Sequence, residues 1–234
     1  MNKTVKIALE ALLAVVIIGM GIWLYLSISK PVKFDEEYNK RGVACAEKLR
    51  AIRTLEEAYK QTYACYCGNF DTLFNRLLNE DSLKISTKVI YRDRIPEDVE
   101  IDEISEFEAI KKGYMARKDT LVNPIKQLRE NNKLPITLAD GSVRQMTDEE
   151  IRNLRYLPYP KGTSEEFEIN AGIKEATGGF QVPVVEVKVD INRLMSDCDH
   201  QLVVNKKDKL ESGNKYAGWK FGSMDESITE GNFE

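Results

Sequence analysis

The stretch Ile7-Ala-Leu-Glu-Ala-Leu-Leu-Ala-Val-Val-Ile-Ile-Gly-Met-Gly-Ile-Trp-Leu-Tyr-Leu-Ser-Ile28 is apolar apart from one acid, Glu10. A bilayer core of about 30 Å is crossed by about 20 apolar residues in a helix that rises about 1.5 Å per residue. The run is therefore long enough to cross a membrane with some tilt, and Trp23 and Tyr25 are residue types typical of membrane interfaces. We expect an N-terminal transmembrane helix over 7–29.

A cleaved signal peptide is the alternative for this segment, because Ser27-Ile28-Ser29 offers a small-x-small cleavage site. The apolar region of a signal peptide is usually shorter, about 7–15 residues. The length of the run therefore favours an uncleaved anchor that holds the chain in a lipid bilayer.

The flanking charges bear on which side of the membrane the rest of the chain occupies. Lys3 and Lys6 precede the apolar run, whereas Lys30, Lys33, Lys40 and Arg41 follow it. A bare count of Lys and Arg would place the domain in the cytoplasm, but long domains translocate largely regardless of charge and the first helix usually sets the orientation. We expect a single-pass protein of the inner membrane, with residues 1–6 in the cytoplasm and the soluble domain in the periplasm.

Composition narrows the range of partners. The 234-residue chain carries 34 Lys and Arg against 38 Asp and Glu, and it has no polybasic block. Phosphate recognition needs a concentrated basic surface, so nucleic acid is not expected as a ligand.

The segment after the apolar run has a helical period. Tyr38, Cys45, Ile52 and Tyr59 recur at intervals of seven, and charged residues fill the other faces: Lys48, Arg50, Arg53, Glu56, Glu57 and Lys60. We expect an amphipathic helical region over 30–80, separated from the anchor at Lys30-Pro31 and broken by a turn at Gly68-Asn69. The apolar stripe either packs on the sheet of its own domain, which we favour, or forms an interface with a partner helix.

The remaining chain has the alternation and turn residues of short strands. Leu83–Tyr91 and Val182–Val189 alternate with β-branched residues, Asp140-Gly141 is a hairpin signal, and Thr147 with Glu150 forms a capping box. Pro183 suggests that its strand lies at an edge or that it starts there. The predicted fold class is α+β: a transmembrane helix, a long amphipathic helix, a small and mainly antiparallel β-rich domain over 81–205, and a polar tail over 206–234.

The four cysteines are compatible with an oxidising compartment. Cys45 and Cys65 are not expected to pair, because 20 helical residues separate them by about 30 Å, whereas a disulfide needs Cα atoms within about 7 Å. A disulfide from Cys198 to Cys65 or Cys67 is the expected bridge. Zinc is the less favoured alternative, with Cys65, Cys67, Cys198 and His200 as four ligands.

Catalysis has little support in the sequence. His200 is the only histidine, no serine lies in a G-x-S-x-G motif, and neither a Walker A loop nor a G-x-G-x-x-G loop occurs. We therefore expect no enzymatic activity, no catalytic residues and no cofactor.

Two stretches resemble type IV pilins and the pseudopilins of type II secretion systems. They are Glu10–Gly19, an acid followed by a Leu, Val and Ile run with a glycine, and Leu49–Leu73, an amphipathic helix followed by a Gly/Tyr turn and a short Leu-bearing helix. Lys6 stands where a prepilin carries glycine. The segments Arg117–Thr120 and Tyr216–Lys220 resemble uncharacterised envelope proteins of the Bacteroidetes type.

The resemblance implies a non-enzymatic component of a secretion or fibre machine that associates with itself or with other envelope proteins. Glu10, Tyr38, Cys45, Ile52 and Tyr59 are then the candidate assembly residues. Glu10 either pairs in trans with a cation of a neighbouring subunit or is an interfacial acid that pairs with Lys6 of its own helix. The alternatives for the whole chain are a membrane-tethered scaffold or binding domain unrelated to pilins, and a tethered metal-binding or enzymatic domain.

Overall fold

The computed structural model describes residues 3–96, 100, 104–138, 140–175 and 179–234, and for residues 3–11 it describes the helical backbone alone. The described chain is α+β, with a long apolar helix at its N-terminus followed by small antiparallel sheets and short helices. This confirms the predicted fold class at that level.

Helix α1 runs without a break from Lys3 to Tyr63, 61 residues that include Pro31. The expected interruption at Lys30-Pro31 is therefore wrong, and the anchor segment and the amphipathic segment are one helix about 90 Å long. Pro31 removes only the hydrogen bond to the Ser27 carbonyl. Ser27 and Pro31 are both exposed, so surrounding molecules can solvate that carbonyl and the helix continues.

The end of α1 comes earlier than the glycine signal predicts. Ala64 follows the helix in the left-handed region with φ 59°, and its N–H donates to the Lys60 carbonyl at 2.8 Å. Gly68 lies in the following turn. Helix α2 then spans Phe70–Asn79, and the Asn69 side chain, of a residue type preferred at this position, caps it by accepting the Thr72 N–H at 3.1 Å.

Two small two-stranded antiparallel sheets follow. Strands β1 (Leu83–Ile90) and β2 (Met115–Val122) pair antiparallel, with helix α3 (Glu106–Lys111) between them in the chain. After α4 (Pro124–Glu130), strands β3 (Pro135–Thr137) and β4 (Val143–Gln145) form the hairpin predicted at Asp140-Gly141. The capping box of Thr147 and Glu150 then begins α5 (Asp148–Arg152).

The main sheet has the antiparallel order β5-β6-β7, from strands β5 (Glu168–Glu175), β6 (Gln181–Asp190) and β7 (Gly218–Gly222). Strand β6 is central in this order, but at Pro183 it pairs with β5 alone, so the predicted position of Pro183 at an edge or strand start is confirmed. Because β7 pairs only with residues 186–190, Pro183 lies near the strand start and outside that ladder.

The expected polar tail over 206–234 is also wrong. Helix α6 (Ile191–Leu194) leads to α7 (His200–Ser212), and β7 follows with Trp219 and Phe221 buried at 7% and 0% exposure. The polar run of Lys, Ser, Gly and Asn residues is the outer face of α7 and its C-terminal turn. The aromatic residues of β7 alternate with Lys220 and pack towards α1.

One hydrophobic core joins these elements. It contains the C-terminal half of α1 from Phe34 onward, the apolar face of α2 and the inner face of the β5-β6-β7 sheet. The half of α1 before Phe34 lies outside this core, and its described side chains are exposed or half-exposed.

Candidate functional site on the long helix

The N-terminal half of α1 presents an apolar surface on all sides. Its exposed large apolar residues are Leu12, Leu13, Val15, Val16, Ile17, Ile18, Met20, Ile22, Trp23, Leu24, Tyr25, Leu26 and Ile28. From Leu12 onward, where the side chains are described, none of the apolar segment is buried within the chain, and its length and composition suit a single membrane span; a signal sequence would have the same properties. Exposed apolar patches of this size are uncommon on soluble monomers and are typical of surfaces that contact a membrane or another protein.

Glu10 lies on the helical backbone of α1, within the residues whose side chains are not described. Its two interpretations, pairing in trans and pairing with Lys6, both remain predictions.

The seven-residue stripe on α1 belongs to the core. Cys45 and Ile52 are fully buried, Tyr59 is 9% exposed, and the Tyr38 ring lies 5.0 Å from the Trp219 ring between centroids. The favoured interpretation, packing on the domain's own sheet, describes these contacts. Cys45, Ile52 and Tyr59 are therefore not accessible to a partner helix, which corrects their assignment as assembly residues, whereas Tyr38 is half-buried and its assignment stays a prediction.

The four proposed zinc ligands do not come together. Cys198 lies beside Arg41, whose positive charge offsets part of the rise in the Cys198 pKa that burial causes. Cys65 and Cys67 follow the other end of α1 at Tyr63, which is 22 helical residues from Arg41 and thus about 33 Å along the axis. Among the described residues, no three His, Cys, Asp or Glu side chains are grouped so as to hold a metal ion.

The same separation overturns the expected disulfide. All four cysteines are free thiols in the structure, and the distance along α1 keeps Cys198 from both Cys65 and Cys67.

Arg41, near the start of the buried half of α1, connects this helix to the loop after α6. Its guanidinium donates to the Leu194 carbonyl at 3.0 Å and to both carboxylate oxygens of Asp197, and it lies over the Tyr159 ring at 4.9 Å. The Asp197 hydrogen bonds raise the pKa of Arg41, and Arg41 lowers the pKa of Asp197. This network anchors the domain to the helix just beyond the apolar segment.

A groove of about 700 Å³ runs beside the middle of α1. One wall is the α1 face with Ala44, Ala51 and Thr54, and the other consists of the β3–β4 hairpin and the 3-10 turn Asn153–Arg155. Leu134 and Leu154 are buried at its apolar floor, while the rim is charged: Glu47, Lys48, Arg50, Arg53, Lys133 and Glu150.

Most of the rim charges already have partners. Lys48 donates to the carbonyls of Asn153 and Tyr156 at 3.0 and 2.7 Å, and burial lowers its pKa. Arg53 binds the C-terminal segment through the Thr229 carbonyl and the Glu234 carboxylate. The groove can therefore accept an apolar segment, but it does not offer a set of free charges for a phosphate or a substrate.

Sequence reasoning missed one buried acid. Glu56, placed with the polar faces of the amphipathic helix, is fully buried, and its Oε2 accepts the Cys67 N–H at 2.9 Å. Burial raises its pKa to about 8, and the hydrogen bond from Cys67 offsets only part of that rise. The available signal was position: Glu56 lies beside Leu55 and four residues after Ile52, so it borders the apolar stripe.

The comparisons with known proteins add no relative. No protein-family model, no curated protein and no solved structure matches the chain.

Proposed function

We propose that this chain is a non-enzymatic, single-pass membrane protein whose exported domain acts in the assembly of an envelope complex, as pilin-like components do. One observation carries the proposal: a single unbroken helix has an exposed apolar N-terminal half and a C-terminal half buried in a small antiparallel domain. A helix of this kind can hold its domain at the membrane and offer apolar sides to neighbouring copies.

The continuity of α1 through Pro31 supports the pilin-like form of the proposal. Pilin helices usually run on unbroken from the membrane into the domain, and α1 has this property over Lys3–Tyr63. Within the stripe, Cys45, Ile52 and Tyr59 are buried in the domain and Tyr38 is half-buried, so the stripe offers little surface to another subunit. Assembly contacts would instead come from Glu10 and the apolar residues before Phe34.

Membrane retention is tested by a matched pair of substitutions on α1. Val16→Arg places a cation inside the apolar segment, at a cost of about 2.5–3.5 kcal/mol on insertion scales. Val43→Arg changes an exposed valine of the same helix beyond that segment. We expect alkaline carbonate to release the first variant from membranes and not the second.

The mass of the mature N-terminus separates an anchor from a signal sequence. A chain that starts near residue 30 would contradict the anchor, since cleavage there removes the apolar half of α1. An intact N-terminus retains the anchor but, without processing or N-methylation, weighs against a pilin proper and leaves a tethered assembly protein.

The groove beside α1 favours a second candidate, a membrane-tethered binding domain. Photo-crosslinkers at Leu24 in the apolar segment and at Ile136 in the groove distinguish the two. Cross-links between copies from Leu24 support assembly. Cross-links from Ile136 to a different molecule, with none from Leu24, support the binding domain instead.

A further inference from the structure

Cys65 and Cys67 lie together in the turn that leaves α1. Residues two apart have Cα atoms no more than about 7 Å from each other, at the upper end of the span that a disulfide bridges. Both thiols also lie near one phenol: after burial, Cys67 and Cys65 are the next causes that raise the pKa of Tyr59 to about 12. Both thiol groups are therefore near the Tyr59 hydroxyl group.

The turn is held in a specific conformation. Ala64, directly before Cys65, has φ 59°, a left-handed conformation that non-glycine residues rarely adopt. Gly68, directly after Cys67, approaches β5 so closely that a Cβ would lie 3.3 Å from the Ala171 nitrogen. The left-handed Ala64 before the two cysteines and the closely packed Gly68 after them thus constrain the short segment that carries both thiols.

The buried side chain of Glu56 lies on the interior side of the turn that carries the two cysteines. Its Oε2 accepts the Cys67 N–H, while its Oε1 is buried with no hydrogen-bond partner in the described part of the chain. The Cys67 thiol donates to the Asn69 carbonyl at 3.2 Å. A fully buried carboxyl group with one free oxygen thus lies directly behind the cysteine pair.

The electrostatics of this site favour a disulfide over a thiolate. Burial raises the pKa of Cys67 and the Glu56 charge acts in the same direction, while the hydrogen bonds with Asn69 and Tyr59 offset part of that rise. A bound metal ion or a reactive nucleophile needs a stabilised thiolate. A disulfide carries no charge, so conditions that disfavour the thiolate favour the oxidised pair.

We propose that Cys65 and Cys67 form a redox site that closes to a disulfide within the turn, with Glu56 as its positioning residue. The thiolate of half-exposed Cys65 attacks a disulfide RSSR, forming a mixed disulfide and releasing one RS⁻, which takes up the proton that Cys65 lost. Buried Cys67 then attacks the Cys65 sulfur and releases the second RS⁻, which takes up the Cys67 proton. Two thiols are oxidised and one RSSR is reduced to two RSH.

The oxidant belongs to the class of small-molecule or protein disulfides. Its presence around the domain rests on the proposed export, whereas the closure itself is a property of the turn. A titration of the purified full-length protein in detergent therefore tests the site independently of membrane orientation.

Trypsin cleavage after Lys60 and Arg76 releases both cysteines in one peptide, Gln61–Arg76, with no other cysteine. After exposure to glutathione disulfide and alkylation, we expect this peptide to be unalkylated and lighter than its dithiol form by two hydrogen atoms. The peptide Gly42–Lys48 with buried Cys45 serves as the internal control and should be recovered with its thiol intact. A Gln61–Arg76 peptide alkylated twice under excess glutathione disulfide would overturn the proposal.

Two variants identify the pair. Cys198→Ser should close normally, whereas Cys65→Ser should leave Cys67 unable to form the internal bond. If Cys198→Ser abolishes closure, the bridge involves Cys198 and the proposal is wrong.

The role of Glu56 is tested at pH 9, where its carboxyl group is ionised. Glu56→Gln keeps the acceptor for the Cys67 N–H but removes the charge that disfavours the thiolate. The equilibrium with glutathione should shift severalfold towards the dithiol, while Glu57→Gln, an exposed neighbour, should match the wild type. Equal equilibria for all three proteins would remove Glu56 from the site.

Discussion

The indole ring of Trp219 on β7 lies directly against Gly42 on α1, so close that a Cβ on Gly42 would stand 2.9 Å from Cζ2. Trp219 is held there by burial and by the Tyr38 ring. Glycine inside a helix costs about 1 kcal/mol relative to alanine. At Gly42 the missing side chain lowers the helix propensity of α1, but it also allows β7 to approach the helix.

Gly42→Ala should therefore destabilise the domain although alanine is the better helix former. Overpacking typically costs about 1–3 kcal/mol, of which the gain in helix propensity returns about 1 kcal/mol. We expect a net loss of about 1 kcal/mol in the free energy of unfolding, measured by urea titration of tryptophan fluorescence. Gly21→Ala is the control, because a Cβ on that helical glycine would meet no atom within 4 Å; equal stability of the two variants would contradict the packing argument.

Glu56 should make the domain less stable as the pH rises. Its folded pKa of about 8 lies above the unfolded value of 4.5, so its protonated form is the one that the fold favours. This contribution is complete below about pH 4.5 and is lost as the pH rises through about 8. Its total size is on the order of a few kcal/mol.

Glu56→Gln should abolish that part of the pH dependence, and Glu57→Gln should retain it. The measurement is the free energy of unfolding from denaturant titrations between pH 5 and 9 under reducing conditions. A wild-type slope that survives in Glu56→Gln would show that another group is responsible.

Arg41→Met should weaken the attachment of the α6–α7 loop to α1. The substitution leaves the Leu194 carbonyl without its guanidinium donor and frees Asp197, for an expected loss of about 2 kcal/mol. Lys40→Met, one residue earlier and exposed, is the matched control and should change stability by less than about 0.5 kcal/mol.

The Arg41–Asp197 ion pair also predicts that the stability of the domain falls at low pH. Arg41 depresses the pKa of Asp197, so the contribution of Asp197 is present above its unfolded pKa and is lost as the pH falls through the folded value. Arg41→Met should lack this loss on acidification. If the Arg41→Met variant loses as much free energy of unfolding on acidification as the wild type, Arg41 does not stabilise the Asp197 carboxylate.

Glu10→Gln should separate the two interpretations of the acid in the apolar run. If Glu10 pairs with a cation of a neighbouring copy, the variant should yield fewer cross-linked oligomers in native membranes, with unchanged membrane retention. Glu36→Gln, an exposed acid on the same helix with no ion pair in the described structure, should behave as the wild type. Oligomers that persist in Glu10→Gln would favour pairing with Lys6 within one helix.

Local signals in the sequence predicted the local structure. The Asp140-Gly141 hairpin and the capping box at Thr147 depend on residues no more than four positions apart. Their hydrogen bonds close within that short span, so the residue types alone indicate the geometry.

The errors concern features that depend on distant residues. Pro31 is tolerated inside α1 because Ser27, whose carbonyl loses its hydrogen bond, is exposed. The burial of Glu56 depends on the turn at Cys67, eleven residues later. Strand β7 looks like part of a polar tail until β6 supplies its partner. The groove likewise exists only where α1 meets the β3–β4 hairpin, since neither wall carries a motif of its own.

Because α1 is unbroken, its apolar segment and the domain are connected rigidly and move together. About 45 Å of helix lies between Phe34 and Tyr63, with no hinge to absorb motion. A tilt of the anchor by about 10° would therefore swing the far end of the helix by about 8 Å, and a rotation about its axis would turn the whole domain with it. With α1 as the proposed membrane anchor, bilayer thickness and the packing of neighbouring anchors would then set the direction in which the domain faces.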